Sequence, residues 1–242
     1  MEQIQIQNRD EEQTTRRATL IKGLIDEMKK EGDTARVQNM EGRFHTNLNW
    51  EEFLQLFSSS ANTILKKRGL ERVFIIDDNN RPTLYQLWLY MNYNREFNGD
   101  LHKGLLLRGN YGCGKSLLME SYAHLQNWMI RKFAMNFGGI TYINSFELVN
   151  KLKTEDMKMF SSRPLIIDEF GREPKEIMDY GNIKTPMLDL LCARADKAVI
   201  THATTNFKLE KLATPEFYGA MIGDRLKAMF NFIELDGKSR RG

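Results

Sequence analysis

Cysteine is nearly missing from this chain of 242 residues: Cys113 and Cys192 are the only two. One lies in a glycine-rich loop and the other in a segment that reads as helix, so a disulfide framework is excluded and a reducing compartment is expected. No apolar run approaches the ~20 residues that a membrane span needs. The first segment, Met1 to Glu12, is rich in Gln and acid and lacks the charged-then-apolar order of a signal peptide. These absences predict a cytoplasmic protein with no membrane partner. Large charge of one sign is also missing, since 35 Lys+Arg against 32 Asp+Glu leave a formal net charge of +3. That balance neither argues for nucleic-acid binding nor excludes it. The remainder, 41% hydrophobic and 28% charged, is an ordinary globular composition, long enough for one large domain or one domain with a small appendage.

What is there is organised around Gly104 to Ser116, where Gly-Leu-Leu-Leu-Arg runs into Gly-Asn-Tyr-Gly-Cys-Gly-Lys-Ser. A short buried strand leads into G-x-x-x-x-G-K-S, with Gly109, Gly114, Lys115 and Ser116 at the fixed positions and Asn110, Tyr111, Gly112 and Cys113 between them. Glycines let backbone N–H groups curl around a triphosphate, the lysine reaches its β- and γ-phosphates, and the serine hydroxyl is suited to Mg2+. The segment from Leu117 to Arg131 reads as helix, which would set the phosphates at a helix N-terminus. The predicted ligands are ATP and Mg2+. Cys113 occupies a variable loop position as a small filler, and its oxidation could block nucleotide access.

Before this loop, residues 1–48 form a polar tail in which Leu20, Ile21, Leu24, Ile25 and Met28 fall at helical spacing until Gly32. That amphipathic helix either folds back on its own domain or docks on a partner. Residues 49–100 read as a helical linker region. Asn49 with Glu52 opens a capped helix through Trp50, Phe53, Leu54, Phe57, Ala61, Ile64 and Leu65, closed by Lys66-Lys67-Arg68-Gly69. Val73 to Ile76 reads as a strand, and Pro82 starts a helix expected to end at Asn98-Gly99. From 101 to 242, strands at Ile140–Ile143, Leu165–Ile167 and Ala198–Ala203 alternate with helices, one opened by Ser145 and one by Thr185-Pro186. Such alternation predicts an α/β fold with a parallel sheet and a site at the strand C-termini.

The second half of the chemistry is Leu165-Ile166-Ile167-Asp168-Glu169. An aspartate ending a buried strand can hold the Mg2+ water shell opposite Ser116, and the next glutamate can act as general base toward water. A water-activating carboxylate suits hydrolysis better than transfer to a small acceptor. Asn206, just beyond the following strand, would lie beside the γ-phosphate and help to position water.

Together the phosphate loop, Ile-Ile-Asp-Glu-Phe-Gly, Thr-Thr-Asn-Phe and the closing Tyr218-Gly219…Gly223-Asp224-Arg225-Leu226…Arg240-Arg241 resemble the AAA+ ATPases of the DnaC/DnaI helicase-loader and IstB-like group. The resemblance runs from about Gly69 to the C-terminus. It implies that Gly109–Ser116 is the Walker A loop, that Asp168 and Glu169 are the Walker B pair, and that Asn206 is sensor 1. It implies that Arg225 is an arginine finger acting on a neighbouring subunit, hence self-association. Arg241, or its neighbour Arg240, takes the role of a C-terminal phosphate-sensing arginine. The chain ends at Gly242 with no room for a helical lid, as expected for this group. It departs from loaders with an N-terminal zinc site: residues 1–100 have no cysteine, and His45 and His102 have no matching ligands.

The implied function is an oligomeric ATPase that loads or remodels a replicative helicase on single-stranded DNA. An IstB-like transposition helper would use the same site on another partner. A small-molecule kinase shares the loop but lacks here an arginine-rich lid. A slow, nucleotide-gated binding module is the fourth reading.

Overall fold

The computed structural model describes residues 16–17, 19–34, 43–179, 181–235 and 237–240. The chain divides into two compact units, Met1–Phe44 and His45–Gly242. In the first, residues 19–34 form helix α1. Its Leu20, Ile21, Leu24, Ile25 and Met28 are all exposed. Gly32 does not end this helix, and the Thr34 hydroxyl donates back to the Lys30 carbonyl at 2.8 Å.

The second unit opens with α2 (Trp50–Lys67), whose start is the expected capping box: the Asn49 side chain accepts from Glu52 N while Glu52 accepts from Asn49 N, each at 2.9 Å. Phe53, Phe57, Ala61, Ile64 and Leu65 are buried. The expected strand at Val73–Ile76 does not form. The segment pairs with no strand, and Phe74 N donates instead to Asn62 Oδ1 at 2.7 Å. A β-favouring run becomes a strand only where an unfilled sheet edge is in reach. Helix α3 (Arg81–Met91) begins with Pro82 in its first turn but ends well short of Asn98, because Tyr93 turns at φ +54°.

Five parallel strands follow: β1 (Gly104–Arg108), β2 (Thr141–Asn144), β3 (Leu165–Asp168), β6 (Thr201–Thr205) and β7 (Phe230–Glu234), in the spatial order β2-β3-β6-β1-β7. Between them run α4 (Lys115–Lys132), α5 (Ser145–Thr154), α6 (Lys158–Ser161), α7 (Pro186–Asp196), α8 (Leu209–Leu212) and α9 (Gly219–Met229), with a small antiparallel hairpin of β4 (Ile177–Asp179) and β5 (Asn182–Lys184). The central strands β1, β3 and β6 are buried almost throughout, as a parallel sheet covered on both faces requires. β6 starts at Thr201 rather than Ala198, because Ala198 turns at φ +51° to close the helix before it. Thr185 precedes α7 without making a capping bond, and Asn144 rather than Ser145 caps α5, accepting from Phe146 N at 2.9 Å.

At the sheet edge away from the strand C-termini, Arg194 is wholly buried. Its guanidinium donates to the carbonyls of Phe160, Arg163 (2.9 Å) and Ile200 (2.7 Å) and to Thr201 Oγ1 (2.8 Å). It has carbonyl partners instead of a carboxylate. By tying the segments that enter β3 and β6, it fixes where those two strands begin and therefore where they end.

Candidate functional site

β1 hands the chain to the glycine loop. Gly109 N still donates to Thr205 O at 3.3 Å across the sheet. The backbone then turns through Gly112 at φ +78° and Gly114 at φ +109°, values that an L side chain reaches only with strain. Gly114 is the N-cap of α4 and no side chain caps its first turn, so those N–H groups and the helix dipole are left to an anion.

Lys115 is only 7% exposed. Its ammonium donates to the carbonyls of Gly109 (2.9 Å) and Asn110 (2.8 Å) and to Asn206 Oδ1 (2.7 Å), with Cys113 Sγ at 3.8 Å. Burial lowers its pKa, opposed by Cys113 and, more weakly, by the charges of Asp168 and Glu169. The expected lysine, sensor-position amide and Walker B carboxylates therefore converge.

Asp168 ends β3 almost buried. The Thr204 hydroxyl donates to one of its oxygens. Tyr142, one strand over, donates to Ser116 O at 3.5 Å; burial, and after it the charge of Asp168, push the phenol far above its ordinary range, so Tyr142 remains a neutral donor. Glu169 follows at φ +57°, an uncommon conformation for a non-glycine residue that persists where neighbours over-determine it. Its N–H donates to Thr204 Oγ1 at 3.0 Å, and its carbonyl accepts from Ser145 Oγ at 3.1 Å and Arg172 N at 3.1 Å. One hydroxyl, that of Thr204, thus orients both Asp168 and Glu169. Sequence reading assigned Thr204 only to a strand end, and Tyr142 and Asn144 to no role at all. Threonine among threonines and tyrosine in a β run carry no signal of their own.

The cavity at this corner has a volume of about 360 Å³. The loop residues Tyr111 to Leu117 line it together with Glu169, Thr204, Thr205 and Asn206 and with Arg68, Arg72, Val73, Phe74, Ile75 and Asp77. The segment that failed to become a strand therefore lines the pocket. Gly109 and Asn110 contribute through their carbonyls to Lys115.

Arg241 lies outside the described residues. Its neighbour Arg240 lines the cavity. Arg240 N donates to Gly112 O at 2.9 Å and its Nε to Cys113 O at 3.2 Å, while both terminal nitrogens reach the Asp77 carboxylate at 2.8 Å. Arg72 donates to Arg240 O at 2.6 Å. The guanidinium of Arg240 is the first cause holding Asp77 below its ordinary pKa. Arg225 is absent from the lining of this cavity. On α9 it pairs with Asp196 at 2.6 Å and reaches Cys192 O at 3.4 Å, both on α7, and not with adjacent Asp224.

A Mg2+ ion fits the donor set. Ser116 lines the cavity, Asp168 has lone pairs beyond the one used by Thr204, and Mg2+ takes one or two protein oxygens and fills its octahedron with water and phosphate. Among the described residues no group of three or more His, Cys, Asp or Glu could hold a metal by itself. No helix among them is long and apolar enough to cross a membrane.

No family model matches the chain, and no curated protein matches it in sequence. Solved structures do resemble it. The crystal structure of DnaI is 24% identical, covers 70% of this chain and 88% of its own, and gives a TM-score of 0.51. The DnaC helicase loader is 18% identical over 68% of this chain and 94% of its own, at a TM-score of 0.48. AMPPCP-bound DnaA from Aquifex aeolicus is 18% identical over 69% of this chain and 50% of its own, at 0.44. With its five parallel strands, its glycine loop after β1 and its carboxylate pair at the end of β3, the chain has the α/β fold of the DnaI structure.

Proposed function

We propose that this protein binds ATP with Mg2+ and hydrolyses it, and that it serves DNA replication by loading or remodelling a replicative helicase on single-stranded DNA. The observation that carries the hydrolytic reading is the convergence of Lys115, Asn206 and Glu169 on one cavity. The loop amides and Lys115 bind the triphosphate, and Ser116 and Asp168 would hold a hydrated Mg2+ ion, which would supply Lewis-acid stabilisation of phosphate charge there. Asn206 orients a water that Glu169 deprotonates. The fold shared with DnaI supports the replication reading, and the exposed apolar stripe of α1 supports a protein partner.

Arg225 acts on the triphosphate of a neighbouring copy, so full activity requires self-association. Its present partner, Asp196, is itself mostly exposed, and such a pair costs little to exchange. The IstB-like transposition helper remains the second reading, because the same cavity would serve it and only the partner differs.

Two measurements test the proposal. ATP turnover in the absence of any acceptor is expected, and a strict requirement for a small-molecule acceptor would replace hydrolysis with kinase chemistry. Co-purification of the full chain from its host is expected to yield a helicase. Recovery of a transposase would overturn the loader reading in favour of the helper.

A further inference from the structure

We propose that Arg68 is a further nucleotide-binding residue, stored on Glu120 in the empty cavity and transferred to the phosphates when a triphosphate binds. The inference rests on the reading of this cavity as a triphosphate site. Arg68 lines the cavity together with Lys115 and Ser116, and its guanidinium is hydrogen-bonded to the Glu120 carboxylate. Glu120 lies four residues beyond Ser116 on α4, so the two share a helix face about 5.4 Å, one turn, apart. The guanidinium is therefore parked one turn behind the uncapped start of α4, where an anion is expected. The Tyr142 phenol, raised first by burial and then by Asp168, is also reached by the charges of Glu120 and Arg68. The pair thus lies near the end of the site at which β3 delivers Asp168.

Three arginines line the cavity, and they are held differently. Arg240 is tied to Asp77 and to Cys113 O, and Arg72 donates to Arg240 O. Arg68 has one carboxylate, in a pair whose side chains are 43% and 28% exposed, and pairs of this kind have small energies. A guanidinium fork fits phosphate as well as it fits carboxylate, and a triphosphate brings more negative charge than one glutamate. The exchange therefore favours the nucleotide. Burial raises the Glu120 carboxyl, with Arg68 the first charge opposing it and Lys67 a further one, so Glu120 keeps a basic neighbour when Arg68 leaves. The backbone need not move. Arg68 N closes α2 by donating to Ile64 O and Leu65 O, each at 3.1 Å. Helix α2 is held on α4 independently by the buried Ser60 hydroxyl, which donates to Ser121 O at 3.0 Å and meets His124 Nδ1 at 2.7 Å.

The test is equilibrium titration of the full chain and its variants with a fluorescent ATP analogue, and displacement of that analogue by inorganic tripolyphosphate. Arg68→Ala is expected to weaken both ligands by about ten-fold, and Arg68→Lys to recover part of that loss. Glu120→Gln is expected to tighten both by about two- to five-fold, because it frees Arg68 without removing it. The double variant should bind like Arg68→Ala alone. A merely structural ion pair would shift both single variants in the same direction, and that result overturns the proposal. A loss in Arg68→Ala confined to the ATP analogue, with tripolyphosphate unaffected, assigns Arg68 to the base and overturns it too. If Lys115→Ala weakens binding while Arg68→Ala leaves it unchanged, the role of Arg68 is wrong and the triphosphate site stands. If neither variant changes binding, both readings fall.

Discussion

The cavity has two charged corners, and the chain occupies them differently. At the end of β1, Lys115 is buried and held by the neutral acceptors Gly109 O, Asn110 O and Asn206 Oδ1. At the end of β3, Glu169 is about one-third exposed and held by an opposite charge, Arg172. A buried ammonium whose direct oxygen acceptors are all neutral, with Asp168 and Glu169 acting only at longer range, has lost its hydration without gaining a contacting counter-charge, so a polyanion arriving there would recover much of what burial cost. Glu169 is already compensated and gains nothing from the nucleotide directly. The phosphate corner is therefore built to bind. The carboxylate corner is built to wait.

The strongest way to break this comparison lies outside both corners. Arg225→Ala is expected to cost about 10³-fold or more in turnover, the scale of an arginine finger, and to be rescued by mixing with Lys115→Ala subunits, each supplying what the other lacks. Mixed samples as inactive as either parent would leave the site complete within one chain. Next, Glu169→Gln should lower kcat by about 10²–10⁴-fold, the usual range for a general base, while leaving ATP affinity intact. A parallel loss of binding would mean that the two corners are not separable.

Lys115→Ala should weaken ATP binding by about thirty-fold or more, as truncation of a buried charged partner does, and equilibrium titration reads it directly. A smaller step concerns the tail. Arg240→Ala should raise KM by about two- to five-fold, since its contact with Asp77 is a partly exposed ion pair. An unchanged KM would remove Arg240 from the binding corner.

The smallest effect sharpens the carboxylate corner. Glu173 is buried, accepts from the Tyr218 hydroxyl, and is pushed above its ordinary value of 4.5 by desolvation. The fold therefore prefers its neutral form. That contribution is complete below pH 4.5 and is lost as the pH rises through the folded value. The melting temperature of Glu173→Gln should rise relative to wild type as the pH is raised from 4.5 to 8. A difference that stays flat across this range would mean that Glu173 is solvated.

Much of this was legible in the chain itself. The glycine loop, the Ile-Ile-Asp-Glu strand end and the Asn49–Glu52 capping box are local patterns, in which backbone conformation and chemistry depend on residues close in sequence. Val73–Ile76 was misread because a strand needs a neighbour that sequence does not display. β7 and the β4–β5 hairpin were not assigned, and Phe-Asn-Phe-Ile-Glu alternates too briefly to announce a strand. Arg172 was passed over for a different reason: an arginine after a turn reads as solvated surface until its partner is located.

By itself, then, the sequence determined that a glycine-rich loop between strand and helix and a paired-carboxylate strand end exist, because both are fixed by short-range stereochemistry. Only the tertiary structure decided who partners whom. It joined Asn206 to Lys115 across 91 positions, gave both Asp168 and Glu169 to the Thr204 hydroxyl, and brought Arg240 against Asp77. Those contacts arise where parallel strands end side by side, and strand order is set by burial of the whole sheet rather than by any local run.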